Sequence, residues 1–290
     1  MTGPVAAAGG PGPVSDLELG RRAYRTSQAR RSTAVAVGST AVFAAVMAVG
    51  VSSTPGWDRV RSQFLDVEVA RTALPRVLEG LWLNLRVLVV AAVLVLVIGL
   101  GVAVLRTLRG PVLAPVRLLA TAYTDLFRGL PLIIVLYVVG FGVPGLRLQG
   151  VPTSAAVLGT IALVLTYSAY VAEVFRAGIE SVHPSQVAAA RSLGLTYRQT
   201  TRLVVLPQAL RTVTPPLLND FVALQKDVGL ISVLGAVDAV RAAQIQASRA
   251  FDFTPYVLAG LLFVLLAVPT VRVADWAARR AARRERAGGP

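Results

Sequence analysis

Cysteine is absent from this chain of 290 residues, and histidine and lysine each occur once. Without a thiol there is no disulfide, no cysteine nucleophile and no Cys-ligated metal. A lone His183 excludes any site built from a histidine cluster. Charge is scarce as well: 15% of residues are Asp, Glu, Lys or Arg, against about 25% in soluble domains. What charge there is leans one way, with 29 Lys+Arg against 15 Asp+Glu and a formal net charge of +14. The only lysine, Lys226, lies in NDFVALQKDVGLISVLG (219–235) and follows Gln225. A P-loop needs its lysine directly after a G-x-x-x-x-G run, so the chain cannot hydrolyse ATP by that route.

Apolar residues fill the space that charge leaves. They make up 55% of the sequence, the mean hydropathy is +0.66, and Val87 to Leu105 (VLVVAAVLVLVIGLGVAVL) holds no polar side chain. About 20 such residues cross a bilayer as a helix, which makes this an integral membrane protein. The excess of basic residues is spread between hydrophobic segments, without interleaved aromatics, and so reads as loop charge rather than a nucleic-acid surface. Spans are expected near 33–51, 82–105, 120–143, 154–174, 213–236 and 255–274. The first is read as a retained signal-anchor helix, being long for the apolar core of a cleaved leader.

The spans divide the chain into a disordered basic tail (1–32), an N-terminal transmembrane helix (33–51), an external segment (52–80), a membrane domain (81–275) and a basic C-terminal tail (276–290). A loop at 175–211 interrupts the membrane domain. Asp238, Arg241, Arg249 and Asp252 mark a second external link. With six spans both termini fall on one side, and the arginine-dense tails and loops then all face the cytoplasm, as the positive-inside rule demands. The expected fold is all-α, because lipid-exposed backbone must be satisfied within helices.

The loop EVFRAGIESVHPSQVAAARSLGLTYRQTTRLVVLPQALR (173–211) carries local stop and start signals. Pro184 suits the first turn of a helix, Gly194 a C-terminal cap, and Thr196 with Gln199 a capping box opening the next helix. Two short helices meeting at a glycine suit docking into a groove of another protein; an amphipathic connector lying on lipid headgroups is the plainer reading.

AAARSLG, nine residues, then VVLP resembles the E-A-A-x3-G-x9-I-x-L-P signature of permease subunits of bacterial ABC importers. AEVFRAGIESV, LPQALRTVTPPLLNDFVALQKDVGL and YTDLFRGLPLIIVLY resemble the polar amino acid permease family in particular, over roughly residues 80–275. The resemblance implies a five-helix importer core behind an extra N-terminal helix. It makes the loop a coupling helix docking on an ATPase through Ser185, Gln186, Ala188, Ala189, Ala190, Gly194, Leu206 and Pro207. Ala188 stands where the signature has glutamate and Ser185 where the amino acid subfamily has glycine, so shape and apolar contact survive while that charge is lost. The implied partners are ABC ATPase subunits, which would bind the ATP and Mg; a second permease, identical or paralogous; an extracytoplasmic substrate-binding protein; and membrane lipid. No cofactor is expected in this chain, which the resemblance makes a transport subunit of the inner membrane rather than an enzyme.

Charged and polar residues within spans are expensive in hydrocarbon and usually face a bundle interior or a wet cavity. Asn219, Asp220, Lys226 and Asp227 put a polar wall on one helix. It either lines the pathway or forms an ion-pair network, with Asp125 or Arg128 as partners. Val228 and Gly229 replace two hydroxyl residues of the family's K-D-T-S-L. Arg86 snorkels to the interface or captures carboxylates, Arg128 snorkels to the inner phosphates or contacts substrate, and Glu173 pairs locally with Arg176 or anchors the loop. The expected cargo is a polar amino acid, acidic or neutral, moved by alternating access. The alternatives are a stand-alone secondary transporter or channel using Asp220 and Asp227 for ion coupling, and a membrane scaffold that transports nothing.

Overall fold

The computed structural model describes residues 16–108 and 110–287, and all regular structure among them is helical. The remainder of both expected tails, residues 1–15 and 288–290, lies outside the described residues. The chain separates into two compact units, 1–61 and 62–290. The first contains helix α1 (Asp16–Ser52). The helix runs unbroken through the arginine-rich stretch 16–32 that the sequence suggested was disordered, because Arg, Ala and Leu are good helix formers. Its apolar part, Gln28–Ser52, is long enough to cross a membrane. There Thr33, Ser39 and Thr40 satisfy their hydroxyls by donating to carbonyls one turn back, Ala29 O and Ala36 O, which keeps those polar groups off the apolar surroundings.

Helix α2 (Trp57–Phe64) leads to α3 (Val67–Thr107), where Asp66 Oδ1 accepts the free N–H groups of Glu68 and Val69. At 41 residues, α3 is about 60 Å long, roughly twice the apolar thickness of a bilayer. The span expected at 82–105 is therefore only its second half. Next come α4 (Ala114–Gly129), α5 (Leu132–Tyr137), a π turn over Val138–Gly142 and the short α6 (Val143–Gly145). The single span expected at 120–143, with Gly129 and Pro131 inside it, is broken there, the chain bending by 107° between the two helices. Pro131 has no N–H and forces Leu130 into an extended conformation, so α4 cannot continue.

Helix α7 (Ala155–Glu180) is the most buried span. The loop that follows holds α8 (Pro184–Ser192) and α9 (Tyr197–Thr200). Pro207 cannot donate to the carbonyl one turn back, and the chain passes a π turn at Thr201–Val205 into α10 (Leu206–Asp227). A 3₁₀ segment, Val228–Leu234, then leads to α11 (Ala239–Ala250) and α12 (Thr254–Ala287).

The contacts set the directions. Gly99 abuts Val171 and Arg106 pairs with Glu173, so α3 and α7 run the same way. Tyr167 meets Asp227 while Gly178 meets Val213, so α7 and α10 run opposite ways. The main core lies where these three converge, around Leu88, Val95, Leu163, Val171, Leu224 and Ile231.

The link expected at 238–252 is a helix, α11, and it packs on the overlong first half of α3. Ala73 and Val77 meet Ala239 and Ala243 there. An added Cβ at Gly80 would strike the Asp238 carbonyl carbon and the Ala239 nitrogen, so only glycine admits this approach. Asn84 fastens the joint. Its Nδ2 donates to Val228 O (3.1 Å) and to Asp238 Oδ2 (3.0 Å), and its Oδ1 accepts from the Ala239 N–H (3.0 Å). Asp238 is itself the N-cap of α11, its Oδ1 accepting the Arg241 N–H. Charge at Asp238 suggested solvent; the structure buries it as a cap.

Asn84→Leu keeps the volume but removes the Asn84 bonds to Val228 O, to Asp238 Oδ2 and from the Ala239 N–H, at about 1–3 kcal/mol for each group left unpaired, while Asp238 Oδ1 keeps the Arg241 N–H. The thermal midpoint of the detergent-purified chain is expected to fall by about 5 °C or more; an unchanged midpoint would show that these bonds add no stability.

Candidate functional site

Where α3, α7 and α10 converge they border a half-open cavity of about 290 Å³. Val95, Tyr167, Val171, Thr214, Asp220 and Phe221 are among its lining. The walls are almost wholly apolar. Thr214 spends its hydroxyl on Leu210 O, and Tyr167 donates its hydroxyl to Asp227 Oδ2 at 2.8 Å. Asp220 is different: its Oδ2 is shielded from solvent and has no hydrogen-bond partner. A carboxylate oxygen set among apolar walls is a strong acceptor for any donor that enters.

The polar wall expected on α10 thus separates into distinct parts. Asp220 faces the cavity, and Asp227 is tied to α7 through Tyr167. Asn219 and Lys226 are exposed, and Lys226 makes no ion pair among the described residues. Of the two readings of this wall, the ion-pair network with Asp125 or Arg128 is not formed among the described residues. Arg128 instead lies 3.8 Å from Glu173 and over the ring of Tyr170. Arg86 is exposed on α3 and does not line the cavity.

Glu173 is the hub of an ion cluster at one end of the bundle. Arg106 of α3 bonds its Oε2 at 2.7 Å, Arg176 bonds its Oε1, Arg128 of α4 stands nearby, and Arg176 also bonds Glu180. The local Glu173–Arg176 pair was legible from its spacing. Arg106, 67 residues away, was not, although its place in the last turn of an apolar helix marks it as a cation in need of a partner.

Beyond this cluster comes the loop. His183 Nδ1 accepts the Ser185 N–H and lies 2.7 Å from Ser185 Oγ, capping α8. Gly194 has φ +82°, and its N–H bonds Arg191 O while that of Leu195 bonds Ala190 O. This double closure of a helix end requires a left-handed residue, which glycine supplies without strain. Thr196 and Gln199 form the reciprocal capping box that opens α9. Ala190 turns inward; Ser185, Gln186, Ala188, Ala189, Gly194, Leu206 and Pro207 are exposed. Two residues that the motif did not single out, Leu193 and Tyr197, are 83% and 74% exposed. Large apolar side chains held out on a rigid loop make a contact surface.

Apolar spans around a small cavity, with a capped helical loop at one end, define a multi-pass membrane transport protein. A family profile for the binding-protein-dependent transport system inner membrane component matches residues 112–283. The chain is 37% identical over 195 residues to the probable glutamine ABC transporter permease protein GlnM of Bacillus subtilis (strain 168), covering 66% of this chain and 87% of that one. It is 32% identical over 203 residues to the arginine transport system permease protein ArtQ of the same organism, covering 70% and 90%. Among solved structures, that of an amino acid ABC transporter with histidines superposes with a TM-score of 0.68 at 31% identity, covering 74% of this chain and 99% of that one. The chain belongs to this family of ABC importer inner-membrane permeases, and is a transport component rather than an enzyme.

Glu173→Gln would leave three guanidiniums around a neutral amide. The cluster is partly solvated, so the expected loss is about 2 kcal/mol rather than the 3–5 kcal/mol of a fully buried pair. Unfolding of the purified variant should show it, and adding Arg106→Gln should recover part of it; if the second change only adds to the loss, the cluster is not a charge-balanced unit.

Proposed function

We propose that this chain carries amino acids across the membrane by alternating access, driven by a separate ATPase that docks on the α8–α9 loop. The observation that carries the reading is the loop itself. It is a short helix closed at Gly194 and presenting Ala188, Ala189, Leu193 and Tyr197 outward, with no acidic side chain in the surface. Docking there is apolar and steric, which fits the absence of a glutamate at position 188. A second permease copy or paralogue and an extracytoplasmic binding protein complete the assembly.

The cavity suggests the cargo. It offers one unpartnered carboxylate, Asp220, and no cation, which suits an ammonium group and disfavours the acidic cargo expected from the sequence. A neutral or cationic amino acid agrees with the glutamine and arginine in the names of the relatives. The rival, an ion-coupled transporter working alone, draws on two carboxylates. Only Asp220 is without a partner, since Asp227 is held by Tyr167.

Gly194→Trp forces a side chain into a left-handed conformation, at about 1–2 kcal/mol, and adds bulk to the proposed docking surface. In proteoliposomes with the ATPase and binding protein, uptake should fall at least tenfold, an effect of about 1.4 kcal/mol or more on coupling, while ATP hydrolysis and membrane insertion persist. Normal uptake would overturn the loop assignment, and uptake without any ATPase would favour the lone transporter.

The orientation with both termini cytoplasmic is tested separately, and the lack of native cysteine makes single-cysteine labelling clean. In spheroplasts an impermeant maleimide should label Leu148→Cys directly and Val112→Cys only after lysis. The reverse pattern would invert the topology.

A further inference from the structure

A second pocket, of about 690 Å³, opens where the C-terminal end of α3 meets the start of α4 and the end of α7. Arg106, Arg117, Arg176, Glu180, Pro115 and Leu118 are among its walls. Its charge is not balanced from within. Arg106 and Arg176 answer to Glu173 and Glu180, and Arg128 shares Glu173. Arg117 has no carboxylate partner among the described residues; one nitrogen, Nη1, donates to Leu108 O at 2.9 Å. A guanidinium has five N–H donors, so most of those on Arg117 are unspent beside an open pocket.

The next residues along α4 are apolar and turned outward: Leu118 is 69% and Leu119 71% exposed. A soluble anion needs only the guanidiniums. A phosphate with hydrocarbon attached uses both features, and basic pockets between spans on the cytoplasmic side suit such headgroups.

We propose that this pocket binds the phosphodiester headgroup of an anionic phospholipid from the inner leaflet, with Arg117 making the direct contact and Leu118 lying against the acyl chain. The choice of leaflet rests on the orientation proposed above. A lipid seated there would bridge α3, α4 and α7 just before the chain leaves α7 for α8.

Native mass spectrometry of the full chain in detergent micelles tests this, with phosphatidylglycerol as probe, phosphatidylcholine as the neutral comparison and inorganic phosphate as the free anion. Phosphatidylglycerol should be retained in preference to phosphatidylcholine, and Arg117→Gln should raise its half-saturation roughly fivefold. Arg71→Gln, an exposed cation in the first half of α3, should not. Leu118→Glu, at an exposed position of α4, makes the same test by repulsion and should abolish the preference. Equal retention of the two lipids, or undiminished preference in both pocket variants, would overturn the proposal. Displacement of the lipid by millimolar inorganic phosphate would overturn it too, assigning the pocket to a soluble anion. Binding in micelles does not depend on sidedness, so an inverted topology would appear in the maleimide labelling and not here.

Discussion

A peptide group removed from water must find its hydrogen bond within the protein, and in a bundle of apolar helices the difficulty falls where a helix stops. The chain stops being α-helical at Asp227 and resumes at Ala239. Between them the backbone passes a 3₁₀ segment and a turn whose groups cannot all be met internally. Asn84 meets two of them, Val228 O and the Ala239 N–H, and also reaches the carboxylate that caps α11. The arrangement works only because α11 approaches α3 to within the space of a missing Cβ at Gly80. From that joint follow the register of α11 on α3, the height at which α10 ends, and so the position of Tyr167 against Asp227 and of Asp220 against the cavity.

The same constraint sorts the polar residues of α10 into roles. In a low dielectric an unpaired polar atom is costly, so those with partners are structural by default. Asp227 has its partner in Tyr167, and its loss would loosen α7 from α10. Lys226 avoids the problem by standing exposed, outside the core formed by Leu224 and Val228. Asp220 keeps an unmet oxygen beside the apolar cavity, and Gln225, buried on the same helix, has no partner for either amide atom. Of these two, Asp220 lines the cavity and Gln225 does not, so the capacity within reach of a passing molecule is that of Asp220.

Local features of this architecture were legible in the sequence because their causes are local. Pro184, Gly194, Thr196 and Gln199 act within one turn of themselves, and each does in the structure what its spacing implies. The existence of apolar spans was equally plain. Their shape was not, since hydropathy cannot distinguish a straight span from one bent at Leu130 and Pro131. The two charged stretches at 52–80 and 238–252 looked like separate links, because charge reports exposure of a side chain and not the helix that carries it. Their small residues, Ala73 and Val77 against Ala239 and Ala243, hold the missing information, but a stripe of small residues does not name its partner. Arg106 and Glu173 were hidden for the same reason: their ion pair joins residues far apart in the chain.

The path by which force could enter the bundle follows from these contacts. Helix α8 joins α7 through three residues, and one of them, Val182, is buried. A displacement of α8 therefore acts on the end of α7, where two restraints meet it. The Glu173 cluster ties α7 to α3 and α4 by charge, and Gly178 ties it to Val213 of α10 by close packing. Ion pairs near solvent can lengthen and re-form at small cost, whereas packed cores resist compression and pass strain on. The load would then travel along α7 into α10, toward the helix faces that enclose Asp220, while α3 stays anchored at Asn84. Under the proposed alternating access, this geometry would let the cavity change shape by motion of two of its three walls against the third.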